Sequence, residues 1–311
     1  MKKILRILGL AVLAVLLALA LLATYIYFSP APTYAEVAVP ELTVEVTPAR
    51  VLQGRVLVQN NCYSCHHGEN STQLTGRLFD DRSANKDFGA IYTSNITQDA
   101  NAAIAGYTDG ELDRLLRTGV KKNNAQAIAV MPTWPLAADE DIYAIIAFLR
   151  SDHPMVAAAE ANHPLHQPSF LERALRKLVF RPVPYQDEYP TRPALSDSIA
   201  YGAYQVNAVN LCYYCHSADI KAANPVEPTA TPGYLVGGFV FPMLKYDIEV
   251  PNLLPAPGTS IGDWTVDEFV TAVKYGLRPN KPAFQEPMHP YLLDSSEIRA
   301  VYQYLASVAQ Q

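Results

Sequence analysis

The chain contains four cysteines, and all four fall in two copies of one pattern: Cys62-Tyr63-Ser64-Cys65-His66 and Cys212-Tyr213-Tyr214-Cys215-His216. Cys-x-x-Cys-His is the attachment signature of a c-type haem. Two thiols three positions apart on one helical turn can each form a thioether to a haem vinyl group, and the histidine that follows is placed to ligate the iron from one face. The other chemistries open to this cysteine count are a four-cysteine zinc site and a disulfide framework. A zinc site would not need a histidine after each pair, and a disulfide framework would not favour so short a repeated spacing. The pattern therefore assigns Cys62, Cys65, Cys212 and Cys215 to the covalent attachment of two haem c groups, with His66 and His216 as iron ligands.

A second axial ligand is needed on each opposite face if the iron is to shuttle electrons, and a thioether suits an electron carrier because it raises the reduction potential. Met131 stands beside Pro132 in a loop ahead of an apolar helical stretch, and Met288 recurs 157 positions later. The same offset pairs Asn95 with Asn252, Ile104 with Ile261, Thr108 with Thr265, Glu111 with Glu268 and Gly119 with Gly276. A duplication explains that series. Met243, after Phe241-Pro242, is a rival for the second iron, although it has no counterpart in the first copy. His67 reads as a surface residue beside the haem edge, and His153, His163 and His166 read as surface residues because none repeats.

The elements that must hold these residues can be read from capping and periodicity. Residues 49–61 lead as a helix into the first motif. Thr108 with Glu111 forms a capping box, so a helix runs from about Asp109 to Thr118 and stops at Gly119. Asp139-Glu140-Asp141 opens a last helix with Ile142, Ile145, Ile146 and Leu149 on its apolar side. Gly202-Ala203-Tyr204-Gln205-Val206 leads into Cys212 as Gly54 to Val58 leads into Cys62, and the final helix of the second copy slips by one residue, pairing Leu149 with Leu305.

Ahead of both copies, Ile7 to Phe28 is free of charge and mostly Leu, Ala and Val. That run is long enough to cross a bilayer, and longer than the apolar core of a secretory signal. Lys2, Lys3 and Arg6 orient it with its N-terminus in the cytoplasm, and Tyr25 and Tyr27 fall at the outer interface. Without those three cations the net charge of −6 becomes −9 for the external part, a balance that argues against nucleic acid as a partner. Residues 29–48 read as an extended tether whose stretch from Ser29 to Thr47 reaches on the order of 60 Å at about 3.3 Å per residue. Residues 153–198 read as a Pro-rich linker with one amphipathic helix, Ser169 through Phe180. Its Phe170, Leu171, Ala174, Leu175 and Leu178 are expected to pack across the domain boundary, leaving Arg173, Arg176 and Lys177 solvated. A surface-lying or partner-docking helix is the alternative.

The run Ile91-Tyr92-Thr93-Ser94-Asn95-Ile96-Thr97, the Gly106-Tyr107-Thr108-Asp109 segment, Arg117-Thr118-Gly119-Val120, Met131-Pro132 and the Asp139-Glu140-Asp141 helix together resemble the class I cytochrome c modules of the cytochrome subunit of membrane-bound alcohol, sorbitol and gluconate dehydrogenases. The resemblance covers about 49–156 strongly and 199–309 less strongly. Those subunits usually carry three such modules where this chain has two, and His289 rather than proline follows Met288. The resemblance implies an all-α chain: an anchor over 1–28, a tether over 29–48, a His/Met-ligated cytochrome c domain over 49–152, the linker over 153–198, and a second such domain over 199–311. It would be a single-pass protein of a bacterial cytoplasmic membrane with both haem domains on the outer, periplasmic side. It would pass electrons between redox protein partners of a respiratory chain, as a free carrier or as a subunit of a dehydrogenase or terminal oxidase complex. A dihaem enzyme of the peroxidase kind, with one open iron, is the alternative.

Overall fold

The structure, a computed structural model describing residues 2–310, begins with α1 (Lys2–Phe28). At 1.5 Å per residue this helix is about 40 Å long, enough for a hydrocarbon core of about 30 Å. Its leucines and valines are exposed along nearly its whole length, and only Ile26 is buried.

The first half is then built from α2 (Pro48–Asn61), the one-turn α3 (Tyr63–His66), α4 (Arg82–Phe88), α5 (Asp109–Thr118) and α6 (Asp139–Leu149). Thr47 caps α2 by accepting from the Arg50 N–H, and Pro48 at the first turn costs no hydrogen bond. α5 carries the Thr108–Glu111 capping box and ends at Gly119 in the left-handed conformation at φ 77°, so its limits fall where the sequence puts them. α2 and α6 pack against each other at a glycine: a Cβ on Gly54 would sit 1.9 Å from the Ala144 carbonyl oxygen.

The second half repeats the plan with α8 (Ser198–Tyr204), α9 (Cys212–His216), α10 (Val266–Tyr275) and α11 (Ser295–Val308). α8 crosses α11 at Gly202, where a Cβ would lie 2.2 Å from the Ala300 carbonyl oxygen. α10 has its own capping box, Thr265–Glu268, and its own left-handed Gly276 at φ 72°. One difference lies between the crossing glycine and the motif. The first half uses eight positions from Gly54 to Cys62, and the second uses ten, from Gly202 to Cys212. The surplus is taken up by a π turn over Gln205–Val209 and by Leu211, which sits left-handed at φ 49°. Two short antiparallel strands, β1 (Val240–Pro242) and β2 (Asp247–Glu249), depart from the all-α expectation.

The halves share one buried core, and each leans on the other in the same way. Trp134, three residues after Met131, donates from its indole nitrogen to the Val209 carbonyl at 3.0 Å, just ahead of Cys212. His289 and Leu292, one and four residues after Met288, bond to the Asn60 carbonyl and side chain at 2.9 Å each, just ahead of Cys62. The contact is thus reciprocal, as in an isologous dimer.

The segment over 29–48 is extended but not free, and the expected reach of about 60 Å is not available to it. Tyr34 N–H donates to the Asn124 carbonyl at 2.8 Å, Arg114 to the Val37 carbonyl at 3.1 Å, and Val44 N–H to Asp109 at 2.9 Å. A Cβ on Gly110 would lie 2.0 Å from the Pro40 carbonyl oxygen, so the strap lies directly on α5. The segment over 153–198 is likewise laced to the first half. Tyr185 bonds Asp113, Tyr189 stacks 3.4 Å beneath the buried Arg117 guanidinium, and Arg192 bonds Asp141. Within it, α7 (Phe170–Leu178) forms with Ser169 as its cap.

Candidate haem-binding sites

All four cysteines are free thiols in the structure. Among the described residues no three His, Cys, Asp or Glu side chains converge as a metal cluster. Burial pushes the Cys62, Cys212 and Cys215 thiols up to about 12, and raises Cys65 as well. A thiol kept neutral is a poor zinc ligand, whereas a neutral thioether is cheap to bury. The two pairs also approach one another: Cys65 is near enough to Cys215 to add to the rise of its pKa.

Each motif histidine is held by one ring nitrogen. His66 Nδ1 bonds the Ser94 carbonyl at 2.7 Å, and His216 Nδ1 bonds the Pro251 carbonyl at 3.0 Å. The carbonyls fix the tautomer with hydrogen on Nδ1 and leave Nε2 with its lone pair for a metal. Burial lowers the pKa of both rings, which keeps them neutral; the carbonyl bonds oppose this more weakly.

The frame around each histidine is the same, and much of it is invisible in the residue pattern. Ser94 and Pro251 differ in side chain but stand 157 positions apart, each just before an asparagine. Asn95 accepts from the Thr97 N–H at 2.9 Å, and Asn252 from the Leu254 N–H at 2.7 Å. The paired asparagines therefore make the turns that present the two carbonyls. From below, the His66 carbonyl accepts from Gly76 N–H and the His216 carbonyl from Gly237 N–H, each at 2.8 Å. Both glycines have positive φ and press against the segment opposite, Thr93 for Gly76 and Val250–Pro251 for Gly237. That pair went unseen in the sequence because its offset, 161, matches neither neighbour.

Met131 and Met288 also sit in equal frames. Before Met131, Ala127 N–H bonds the Gly119 carbonyl at 2.7 Å; after it, Trp134 N–H bonds that of Leu116 at 2.9 Å. Around Met288 the equivalents are Phe284 to Gly276 and Tyr291 to Val273, each at 2.8 Å. In the first half, His66 and Met131 line one cavity of about 490 Å³ with Ile91, Ile96, Ile104 and Leu115 on its walls. Lys121 and Arg176 also reach it. A ligand-sized apolar chamber with an imidazole and a thioether on its walls, and cations to meet acidic groups, fits a haem held at the adjacent Cys62-x-x-Cys65 turn. In the second half Met288 and Tyr291 are both half-buried on their loop, and the pKa of Tyr291 is raised by desolvation and by the neighbouring Cys212 and Cys215.

One expectation needs correction. His163 and His166 are not surface residues. His163 stacks on Tyr92 at 5.4 Å and bonds the Thr75 carbonyl at 3.1 Å, and His166 bonds Glu172 at 2.5 Å. Both line the first cavity while fastening the linker to it. Met243 is buried with Phe241 and Val250 against Cys215. Its hairpin rests on the first half through Leu244 N–H to the Asp80 carbonyl at 2.7 Å and the Arg82–Asp247 pair at 2.8 Å.

A helical module with a Cys-x-x-Cys-His turn, a carbonyl-clamped histidine and a methionine across an apolar chamber defines the cytochrome c class. Residues 51–152 match the family model described as "Cytochrome c", and this part of the chain is a cytochrome c domain. Over 287 residues the chain is 25% identical to the "Diheme cytochrome c-type" of Cereibacter sphaeroides, covering 86% of this chain and 89% of that one. It is 27% identical over 232 residues to the cytochrome c subunit of the quinone alcohol dehydrogenase of Gluconobacter oxydans, covering 72% and 46%. It is 26% identical over 275 residues to a nicotinate dehydrogenase chain of Pseudomonas putida, covering 84% and 21%. The chain thus spans about half the length, or less, of these two dehydrogenase proteins.

Proposed function

We propose that this protein is a membrane-anchored dihaem cytochrome c that passes electrons between redox partners on the outer face of a bacterial cytoplasmic membrane. The observation that carries the reading is the repeated frame: the same carbonyl clamp on His66 and His216 and the same flanking bonds around Met131 and Met288. It supports two tandem cytochrome c domains, over 49–152 and 199–311. Cys62 and Cys65 would hold one haem c and Cys212 and Cys215 the other, with His66/Met131 and His216/Met288 as the axial pairs. Haem c, when bound, supplies one-electron chemistry. The chain supplies the neutral imidazoles, the thioethers, the apolar walls and the proximity of Cys65 to Cys215, which favours transfer between the two centres. With both axial positions filled by protein, no coordination site is left for a substrate, and this favours a carrier over a peroxidase-like enzyme. The apolar α1 supports retention as an anchor. The names of the relatives support a dehydrogenase as electron donor.

The test is haem stoichiometry with spectroscopy on the full chain purified in mild detergent. Two covalent haems per chain, both low-spin with the near-infrared methionine–iron band, are expected. One haem, or a high-spin component that binds carbon monoxide without mutation, overturns the assignment. Identification of what copurifies names the partner.

A further inference from the structure

The amphipathic helix α7 is inside out. Its charged side faces the protein: Glu172 is 2% exposed and bonds His166, Arg176 bonds both Glu172 and the Gln126 carbonyl, and Arg173 bonds the Pro168 carbonyl. Its apolar side faces outward, with Phe170 49%, Leu171 45%, Leu178 52% and the following Val179 60% exposed. In water an amphipathic helix packs the other way round, because burying the carboxylate costs free energy and exposing the leucines forfeits it. The expected packing of the leucines across the domain boundary is therefore reversed.

The place of α7 says what covers that face. Lys177 donates to the Ser29 carbonyl at 2.7 Å, the Ser29 hydroxyl at 2.6 Å and the Pro30 carbonyl at 2.6 Å, the residues directly after α1. Lys177 and Arg173 also lie over the Tyr25 and Tyr27 rings at 5.3 and 5.7 Å. The helix is thus pinned at the level where α1 leaves the bilayer, among its interfacial tyrosines, and Phe28 continues the exposed apolar surface. We propose that α7 is an interfacial helix that lays Phe170, Leu171, Leu178 and Val179 into the headgroup–acyl boundary of the outer leaflet, beside the anchor. The proposal rests on the reading of α1 as a retained anchor. It adds a second, lateral contact with lipid. Because Arg176 also lines the first haem cavity, it puts that cavity at the membrane surface.

The test is site-directed spin labelling of the full haem-loaded chain in phosphatidylcholine–phosphatidylglycerol nanodiscs. Haem attachment uses every native cysteine, so an introduced one is the sole free thiol. Labels at Leu171→Cys and Val179→Cys are compared with one at Leu52→Cys, exposed on α2, and one at Val15→Cys within α1. The expected result is an oxygen-to-nickel-chelate collision ratio at 171 and 179 several-fold above that at 52 and approaching that at 15. Water-like values at 171 and 179 with a lipid-like value at 15 overturn the interfacial helix and leave the anchor reading intact. Shielding of 171 and 179 from both probes means that protein covers the face, and overturns it equally. A mature chain that lacks residue 15 overturns the anchor reading, and the values at 171 and 179 still decide for α7.

Discussion

The two halves keep one frame and differ in everything that surrounds it. The crossing glycines, the capping boxes, the asparagine turns and the methionine loops repeat bond for bond. The first half is wrapped by extended chain, residues 33–44 and 183–192, and has cations at its cavity. The second is roofed by its own insertion, with the β1–β2 hairpin and Met243 over Cys215 and the buried tyrosines 213 and 304 in its core. The bonds that hold His66 and His216 and flank Met131 and Met288 are alike in the two halves, while the surroundings differ; on the dihaem reading those surroundings would tune potential and partner choice.

The comparison is sharpened most by removing the methionines one at a time. Met131→Ala and Met288→Ala should each lower the potential of one haem only, by an appreciable fraction of the roughly 0.8 V that axial ligation spans, and open that iron alone to carbon monoxide. Spectroelectrochemistry reads both. Met243→Ala should leave the near-infrared band intact; loss of half of it would break the equivalence of the halves. Next in size is the glycine crossing. Gly54→Ala and Gly202→Ala each drive a methyl into a carbonyl oxygen, at 1.9 and 2.2 Å, so each should destabilise its helix pair by about 1–3 kcal/mol in thermal melts. A tolerant Gly202 would mean that the π turn lets α8 give way where α2 cannot.

How much of this was legible in sequence follows from what each signal encodes. The α5 limits were exact because capping boxes and a left-handed glycine are local chemistry. The candidate ligand residues stood out because their types repeat, and the asparagine offset marked the turn without revealing its purpose. The carbonyl clamps were hidden because any residue has a carbonyl. α4 and the hairpin are too short to show a period. The strap over 29–48 looked free because its own backbone makes the bonds, to residues far along the chain. α7 forms where its period puts it, and its exposed apolar face favours the surface-lying alternative over packing across the domain boundary.

Two smaller effects probe the frame itself. Asn252→Ala should cost about 1 kcal/mol through the lost turn bond, and Asn95→Ala more, because its side-chain amide also donates to the Ala159 carbonyl at 2.8 Å; denaturant melts read the difference. Trp134→Phe should cost about as much by leaving the Val209 carbonyl unmet, and should loosen the contact between halves without changing the first haem's ligands. The least effect concerns acid. The Thr265 N–H and hydroxyl, each 2.8 Å from Glu268 Oε2, hold that carboxyl below its ordinary value. A depressed carboxyl adds stability that is present above its unfolded pKa of about 4.3 and is lost as pH falls through the folded value. Melting temperature followed down through that range should fall slightly less for Glu268→Gln than for the native chain.

The strap over residues 33–44 has a consequence for encounters. A protein on a slack leash searches a hemisphere and can meet partners of any height. Here the leash is sewn to α5 and α7 is bolted to the foot of α1, so on the anchored reading the molecule stands like a fixed lamp-post. Two freedoms remain, lateral drift and rotation about the membrane normal. A partner must offer its docking face at one altitude, and distance from the bilayer becomes part of its recognition.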